Sequence, residues 1–148
     1  MIQRKVCLIG SFAVGKTSLL QRFVYSRYDD RYLTTVGVKI DRKIVEVPSG
    51  SVSLILWDLA GEDEFQSLQT SYLRGAAGFL VVVDSTRNET LQQARTHLEY
   101  LEDSHPQASK IVLINKVDLE SAWDLEDDSL SALKQTYTAF RTSAKTGE

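Results

Sequence analysis

The stretch Lys5–Leu20 reads KVCLIGSFAVGKTSLL, and it decides how the rest of the chain is interpreted. Its apolar beginning, Lys5–Ile9, predicts a buried strand, and the spacing of the apolar residues from Leu19 to Val24 predicts a helix. Between them, Gly10–Thr17 matches the pattern G-x-x-x-x-G-K-[ST]. In such a loop consecutive backbone N–H groups point inward, and the helix that follows adds the positive end of its dipole. The stretch therefore predicts a strand, a phosphate-binding loop and a helix, in that order.

The residues of this loop have different expected roles. Gly15 allows the backbone to approach the phosphates without a Cβ clash, Lys16 reaches the β- and γ-phosphates, and the Thr17 hydroxyl ligates Mg²⁺. We expect Lys16 to be catalytic as well as phosphate-binding. The predicted phosphate-binding residues are Gly10, Ala13, Val14, Gly15, Lys16, Thr17 and Ser18. The loop alone fits an ATPase or a small-molecule kinase equally well.

Strand-like and helix-like segments alternate along the whole chain. Leu80–Val83 and Ile111–Ile114 are apolar at every position, which is typical of parallel strands covered on both faces by helices. Pro48–Gly50 predicts a turn that joins two strands into a hairpin. The predicted strands are 5–9, 38–47, 52–57, 78–83, 110–114 and 138–142, and helical stripes fall at 19–24, 65–72, 91–101 and 130–137, with Asn88 as the cap of the third. This order predicts an open, mostly parallel, six-stranded α/β sheet flanked by helices, with ligands beyond the carboxyl ends of its strands.

Two loops after late strands predict which base is bound. Asn115–Asp118 has the form N-K-x-D and follows a buried strand. Asp118 can accept hydrogen bonds from N1–H and the 2-amino group of guanine, whereas adenine leaves this carboxylate unpaired, and sites of this kind discriminate by about 10⁴. Ser143–Lys145 follows the last strand and places the Ala144 N–H near guanine O6. The predicted base-binding residues are Asn115, Lys116, Asp118, Ser143, Ala144 and Lys145.

The segment Trp57–Gly61 supplies a second phosphate-sensing element. It follows a predicted strand and has the form D-x-x-G from Asp58 to Gly61. We expect Asp58 to hold Mg²⁺ through a water molecule and the Gly61 N–H to contact the γ-phosphate. An acidic turn closed by glycine is common, so this motif carries weight only together with the loops described above.

In these stretches the chain resembles a small GTPase of the Ras superfamily, and within it most of all the Rab branch. The resemblance rests on residues 10–17, 35–38, 57–65, 71–76, 115–118 and 143–145, which occur in the family's order and cover essentially the whole chain. It implies a GTP/GDP switch that hydrolyses GTP and requires Mg²⁺. It also implies that residues near 32–40 and 57–74 bind effector, exchange-factor and activating proteins.

The resemblance assigns roles to residues that pattern alone leaves open. It implies that Thr35 offers its hydroxyl to Mg²⁺ and its N–H to the γ-phosphate, that Tyr28 packs against the base or ribose, and that Tyr32 closes over the phosphates. The implied partner-reading residues are Ile40, Trp57 and Tyr72. The predicted catalytic residues are Lys16, Thr35, Gly61 and Glu62.

Three features depart from the family pattern. Glu62 stands where the family usually has Gln, and an ionised carboxylate loses the amide donor and adds negative charge beside the γ-phosphate. Phe12 stands where many relatives have a small residue, and it crowds the path of an arginine finger. The sequence ends at Glu148, before the final helix that the resemblance implies, so we expect a C-terminally trimmed single domain over residues 1–148 with one face of the sheet exposed.

Composition limits the remaining possibilities. The chain has 148 residues and a net charge of -3 without a basic block, which argues against nucleic acid as the main partner. Its longest apolar run, Phe79–Val83, is far shorter than the roughly 20 residues that span a bilayer, and its start does not resemble a signal peptide. We expect a cytoplasmic protein whose membrane attachment is undecided. The main alternative, motivated by Glu62 and Phe12, is a GTP-binding interaction module with negligible hydrolysis. A third possibility, a P-loop ATPase or small-molecule kinase, leaves 115–118 and 143–145 unexplained.

Overall fold

The computed structural model describes one six-stranded sheet with helices against it. The described residues are 2–10, 18–19, 22–23, 38–59, 73–116, 118–125, 127–143 and 145–146. The strands are β1 (Ile2–Gly10), β2 (Val38–Val47), β3 (Gly50–Leu59), β4 (Gly78–Asp84), β5 (Ser109–Asn115) and β6 (Thr138–Arg141). Their order in the sheet is β2-β3-β1-β4-β5-β6, and only β2 and β3 pair antiparallel. The predicted fold class is confirmed.

The hairpin of β2 and β3 forms where the sequence predicts it. Val47 pairs with Gly50, and the ladder continues to Val38 opposite Leu59. Gly50 has φ of 131°, a value that side chains with a Cβ rarely adopt, so glycine at this position allows the tight turn. The remaining strand pairs are parallel, so their carboxyl ends and the loops that follow meet along one edge of the sheet.

In the part of the chain that the structure describes, two helices cover one face of this sheet. They are α1 (Asn88–Ser104) and α2 (Asp127–Thr136), and a short 3₁₀ helix spans Glu120–Ala122. The predicted stripe of α1 is confirmed, because Leu91, Ala94, Leu98 and Leu101 are all buried. They contact side chains of β1, β4 and β5, and Leu130 and Leu133 of α2 extend the same core. Among the described residues, no helix is both long and apolar enough to cross a membrane.

The predicted cap of α1 is wrong by one residue. Arg87, in extended conformation, is the N-cap, and the helix begins at Asn88. The Arg87 carbonyl accepts hydrogen bonds from the Thr90 amide at 3.1 Å and the Thr90 hydroxyl at 2.7 Å, which starts the turn one residue early. The Asn88 N–H donates to Asp124 Oδ2 at 3.3 Å, so a carboxylate from a later loop satisfies this helix end.

The opposite face of the sheet carries an apolar groove of about 580 Å³. Its lining includes Leu8 of β1, Leu56 of β3, Leu80 of β4 and Leu113 of β5. Phe140 pairs with Leu113 in register and therefore lies on the same face, where its side chain is 53% exposed. Leu8 and Leu56 are buried at the floor of the groove, so the apolar surface that a partner can reach is that of the partly exposed Leu80 and Leu113 together with Phe140.

We expect the chain of residues 1–148 to self-associate through this face and to be only marginally stable. Phe140→Ser should lower the association measured by sedimentation over a concentration series, because it removes an exposed ring without opening a core cavity. Tyr100→Ser is the matched control, since Tyr100 is an exposed ring on α1 away from the groove. A parent chain that stays monomeric and thermally robust at all concentrations would contradict this prediction.

Candidate functional site

Buried polar side chains line the carboxyl edge of the sheet. Asp58 lies near the end of β3, Asp84 and Asn115 end β4 and β5, and Ser143 follows β6 by two residues. All four are almost inaccessible to solvent. Burying polar groups costs free energy unless they are hydrogen-bonded, so a row of them at one edge of the sheet indicates a functional polar site. The edge is also where Gly10, the first residue of the predicted phosphate-binding loop, ends β1.

The two segments predicted to read the base are joined by a side-chain hydrogen bond. Ser143 Oγ donates to Asp118 Oδ1 at 2.7 Å, and Ser143 Oγ also accepts the Thr146 N–H at 3.1 Å. Asp118 is exposed, whereas Ser143 is buried. The buried hydroxyl therefore orients a carboxylate that a ligand can still reach.

The start of the predicted guanine-binding segment is a strained turn. Lys116 has φ of 65°, a left-handed conformation that is uncommon for a residue other than glycine. Its carbonyl accepts the Leu119 N–H at 2.9 Å and the Ser85 hydroxyl at 3.1 Å. The preceding residue is held as well, since the Asn115 carbonyl accepts the Ser85 N–H at 3.0 Å and Asn115 Oδ1 accepts the Thr142 hydroxyl at 3.2 Å.

A buried carboxylate at the end of β4 binds the side chain of this turn. Asp84 Oδ2 contacts Lys116 Nζ at 2.8 Å and Arg87 Nε at 3.0 Å. Asp84 Oδ1 accepts the Thr86 amide at 2.8 Å and the Thr86 hydroxyl at 2.6 Å. Burial alone raises the pKa of Asp84, but the hydrogen bonds from Lys116 and Thr86 and the Lys116 charge together outweigh burial and lower it. The carboxylate is therefore ionised at neutral pH.

Sequence reasoning missed these contacts of Asp84 and Ser85. The available signal was their position, because two polar residues directly follow the apolar run Gly78–Val83 at the carboxyl end of a predicted strand. It also missed Arg22, whose guanidinium donates to the Lys145 carbonyl. That contact connects the helical segment after the predicted phosphate-binding loop to the loop after β6.

Asp58 has the chemistry that the predicted magnesium role requires. It is fully buried and pairs in register with Leu8 of β1, so it lies beside the strand that leads into residues 10–17. A carboxylate oxygen is a hard donor of the kind that Mg²⁺ prefers. Within the described part of the chain, no three His, Cys, Asp or Glu side chains cluster as a metal site. The other two predicted donors, Thr17 and Thr35, lie outside the described residues.

Several other predicted residues also lie outside the described part of the chain. They are Ala13, Val14, Gly15, Lys16, Tyr28, Tyr32, Gly61, Glu62, Tyr72 and Ala144, as well as Phe12. Ser18 is helical and Lys145 is exposed in a turn. Of the residues predicted to face partners, Ile40 is directly opposite Trp57 in the hairpin and is 51% exposed. Lys5 Nζ lies 3.8 Å from the centroid of the Trp57 ring and donates to the Arg74 carbonyl at 2.8 Å.

Comparison with known proteins gives consistent matches along the chain. Residues 5–148 match the family model described as Ras family. Ras-related protein RABA5b of Arabidopsis thaliana is 35% identical over 143 residues, which are 95% of this chain and 66% of that protein. Ras-related protein Rab-13 of Rattus norvegicus is 30% identical over 144 residues, 95% of this chain and 71% of the relative. Ras-related protein SEC4 of Saccharomyces cerevisiae is 33% identical over 143 residues, again 95% of this chain and 66% of the relative.

Proposed function

This chain belongs to the Ras family of small GTP-binding proteins, and from that premise we propose that it is a GTP/GDP switch with slow GTP hydrolysis. The observation that carries the proposal is the hydrogen bond from Ser143 to Asp118. It joins the two loops that the sequence assigns to guanine, although 25 residues separate them along the chain. A phosphate-binding loop by itself is compatible with ATP, whereas this pair of loops is specific for guanine.

Guanine recognition in this proposal depends on the fixed carboxylate. Ser143 leaves Asp118 exposed but oriented, so its oxygens can accept hydrogen bonds from N1–H and the 2-amino group of the base. Adenine carries an acceptor at N1 and no 2-amino group, so its binding leaves the carboxylate without partners. Asn115 and Lys116 hold the turn from which Asp118 projects, and the Ala144 N–H is assigned to guanine O6.

Phosphate binding is assigned to the opposite end of the site. Residues 10–17 and Ser18 would bind the phosphates, and Mg²⁺ would be held by the hydroxyls of Thr17 and Thr35 and, through water, by Asp58. When bound, Mg²⁺ neutralises charge that develops on the phosphates. Burial of Asp58 supports its role, because a carboxylate on a rigid strand keeps its position when the nucleotide changes. The proposed catalytic residues are Lys16, Thr35, Gly61 and Glu62.

The partners proposed are effector, exchange-factor and activating proteins that bind residues 32–40 and 57–74. The exposed Ile40 supports this assignment, since it presents an apolar side chain on the hairpin opposite the partly buried Trp57. We assign the protein to the cytoplasm. In support, the single cysteine, Cys7, is buried and cannot form a disulfide within the chain, as is usual in reducing compartments.

One alternative function is a GTP-binding interaction module that hardly hydrolyses its nucleotide. Glu62 and Phe12 favour it, because both change positions that act on the γ-phosphate. Both functions share the guanine site and the magnesium site. The rate of a single turnover separates them.

Removal of Mg²⁺ should release the nucleotide. With a fluorescent GDP preloaded, we expect EDTA to accelerate release at least about tenfold, a change that corresponds to about 1.4 kcal/mol. Excess unlabelled GTP should prevent rebinding, and ATP at the same concentration should not.

Asp58→Asn should weaken this response to EDTA. Asp41→Asn is the matched control, because Asp41 is another buried carboxylate on the sheet but lies on the edge strand β2, opposite Leu56, and not at the end of a parallel strand. Release that is insensitive to EDTA in the parent protein, or competition by ATP as strong as that by GTP, would refute the proposed function.

A further inference from the structure

We propose that Asp84 and Ser85, at the end of β4, are positioning residues for guanine recognition. They hold both the backbone and the side chain of Lys116 and thereby fix the turn that carries Asp118. The inference rests on the proposed function, since it names residues that support the base-binding segment without contacting the base. Two hydrogen bonds carry it. One joins Lys116 to Ser85, which is 31 residues earlier, and the other joins Lys116 to Asp84, which is 32 residues earlier.

Ser85 stabilises the backbone of Lys116. A left-handed lysine is unfavourable by itself, so it persists only where surrounding contacts determine it. Ser85 supplies two of these contacts, since its N–H donates to the Asn115 carbonyl and its hydroxyl donates to the Lys116 carbonyl. Because Ser85 is fully buried, water does not compete for these hydrogen bonds.

Asp84 binds the side chain of Lys116. Lys116 Nζ lies 2.8 Å from Asp84 Oδ2, and Asp84 is 1% exposed. The lysine is therefore anchored to β4 at its carbonyl and at its ammonium group. Thr86 holds the other oxygen of Asp84, which orients the carboxylate toward the lysine.

Asp118 is consequently held from two sides. Ser143 fixes its side chain from the loop after β6, and Asp84 and Ser85 fix the turn two residues before it. Without the contacts from β4, the turn samples other conformations, and nucleotide binding has to restore the productive one. That cost appears as weaker binding of both GDP and GTP.

Asp84→Asn tests the charge while keeping the side-chain shape. Because hydrogen bonds to charged groups contribute more than neutral ones, we expect GDP affinity to fall about 10- to 100-fold. Arg87→Ala is the control, because it removes the second cation that contacts Asp84 Oδ2 and leaves Lys116 in place. Arg87 is the N-cap of α1 and is not part of the turn at Lys116, so this variant should stay within about twofold of the parent.

Ser85→Ala tests the same inference through a neutral hydrogen bond. We expect a loss of GDP affinity of about 3- to 10-fold. Ser53→Ala is the matched control, because Ser53 is an equally buried serine whose hydroxyl accepts Arg42 Nε at 2.7 Å on a distant part of β3. Ser53→Ala should bind GDP like the parent.

A double-mutant cycle distinguishes positioning from a general effect on folding. If Asp84 acts through Lys116, Asp84→Asn should cost little further affinity in a Lys116→Met background. Additive losses in the cycle would overturn the inference for Asp84. If Asp84→Asn does not fold, Ser85→Ala against Ser53→Ala decides, and parental affinity of Ser85→Ala refutes the inference. A parent chain that fails to bind GDP refutes the proposed function instead.

Discussion

Asp118→Asn should change the nucleotide preference from guanine to xanthine. We expect the affinity for GDP and GTP to fall by about 10³-fold or more, within the range by which hydrogen-bonding sites reject a mismatched ligand. Xanthine presents a carbonyl where guanine has its 2-amino group. The asparagine amide can donate a hydrogen bond to that carbonyl, whereas the Asp118 carboxylate accepts one from the 2-amino group of guanine. The Ser143 hydroxyl can still donate to the asparagine oxygen, which keeps the side chain in place. Dissociation constants for GDP and xanthosine diphosphate measure both effects.

Asp124→Asn provides the matched control for this exchange. Asp124 is also an exposed carboxylate, but it accepts the Asn88 N–H at the start of α1 and lies outside the proposed base site. The control should keep the parental preference for GDP over xanthosine diphosphate. Gain of xanthosine binding in both variants, or in neither, would contradict the role assigned to Asp118.

Glu62→Gln should raise the rate of GTP hydrolysis, and adding Phe12→Gly should raise it further. Catalysis of phosphoryl transfer depends mainly on positioning and electrostatics, so a misplaced negative charge is poorly compensated. A carboxylate is ionised at neutral pH and repels the γ-phosphate, whereas glutamine accepts from the water and donates toward the phosphate. We expect the double variant to be about 100-fold faster, the low end of the range for one positioned catalytic group.

Single-turnover rates of the parent, the single variant and the double variant decide this prediction. GDP affinity should be nearly unchanged in all three, because GDP lacks the phosphate that both side chains oppose. If the parent hydrolyses GTP as fast as Glu62→Gln, Glu62 is a competent replacement and the proposal of slow hydrolysis falls. If none of the three hydrolyses GTP measurably, the binding-module alternative is favoured.

The arrangement of the sheet could be predicted because its signals are local. Strands buried on both faces are apolar throughout, and the stripe of α1 recurs at helical spacing, so each element is marked by its own residues. The first residue of α1 was not predicted correctly, because its capping depends on Thr90 and on Asp124 from a distant loop. Short-range patterns do not report contacts of that kind.

Some residues of the candidate site could likewise be predicted from the sequence, and others could not. The sequence predicts 115–118, 143–145 and Asp58 as site residues from residue types together with their order after predicted strands. Asp84 is not predicted, because its partner Lys116 lies 32 residues later, and an aspartate at the end of a strand is equally common in an ordinary turn. The contact of Arg22 with Lys145 spans 123 residues and is visible only once the fold is known.

The parallel arrangement also determines the order in which the sheet can assemble during folding. The hairpin of β2 and β3 closes by a tight turn between Val47 and Gly50, and pairing of that kind forms within microseconds. Every other strand pair joins segments with a long connection between them. Closing such a loop costs entropy before any stabilising contact between the strands has formed. Pulse-labelled hydrogen exchange should therefore protect the amides of the hairpin first and those of the central strand β1 later. The polar edge that carries Asp84, Asn115 and Ser143 then forms last, because it exists only after β4, β5 and β6 lie side by side.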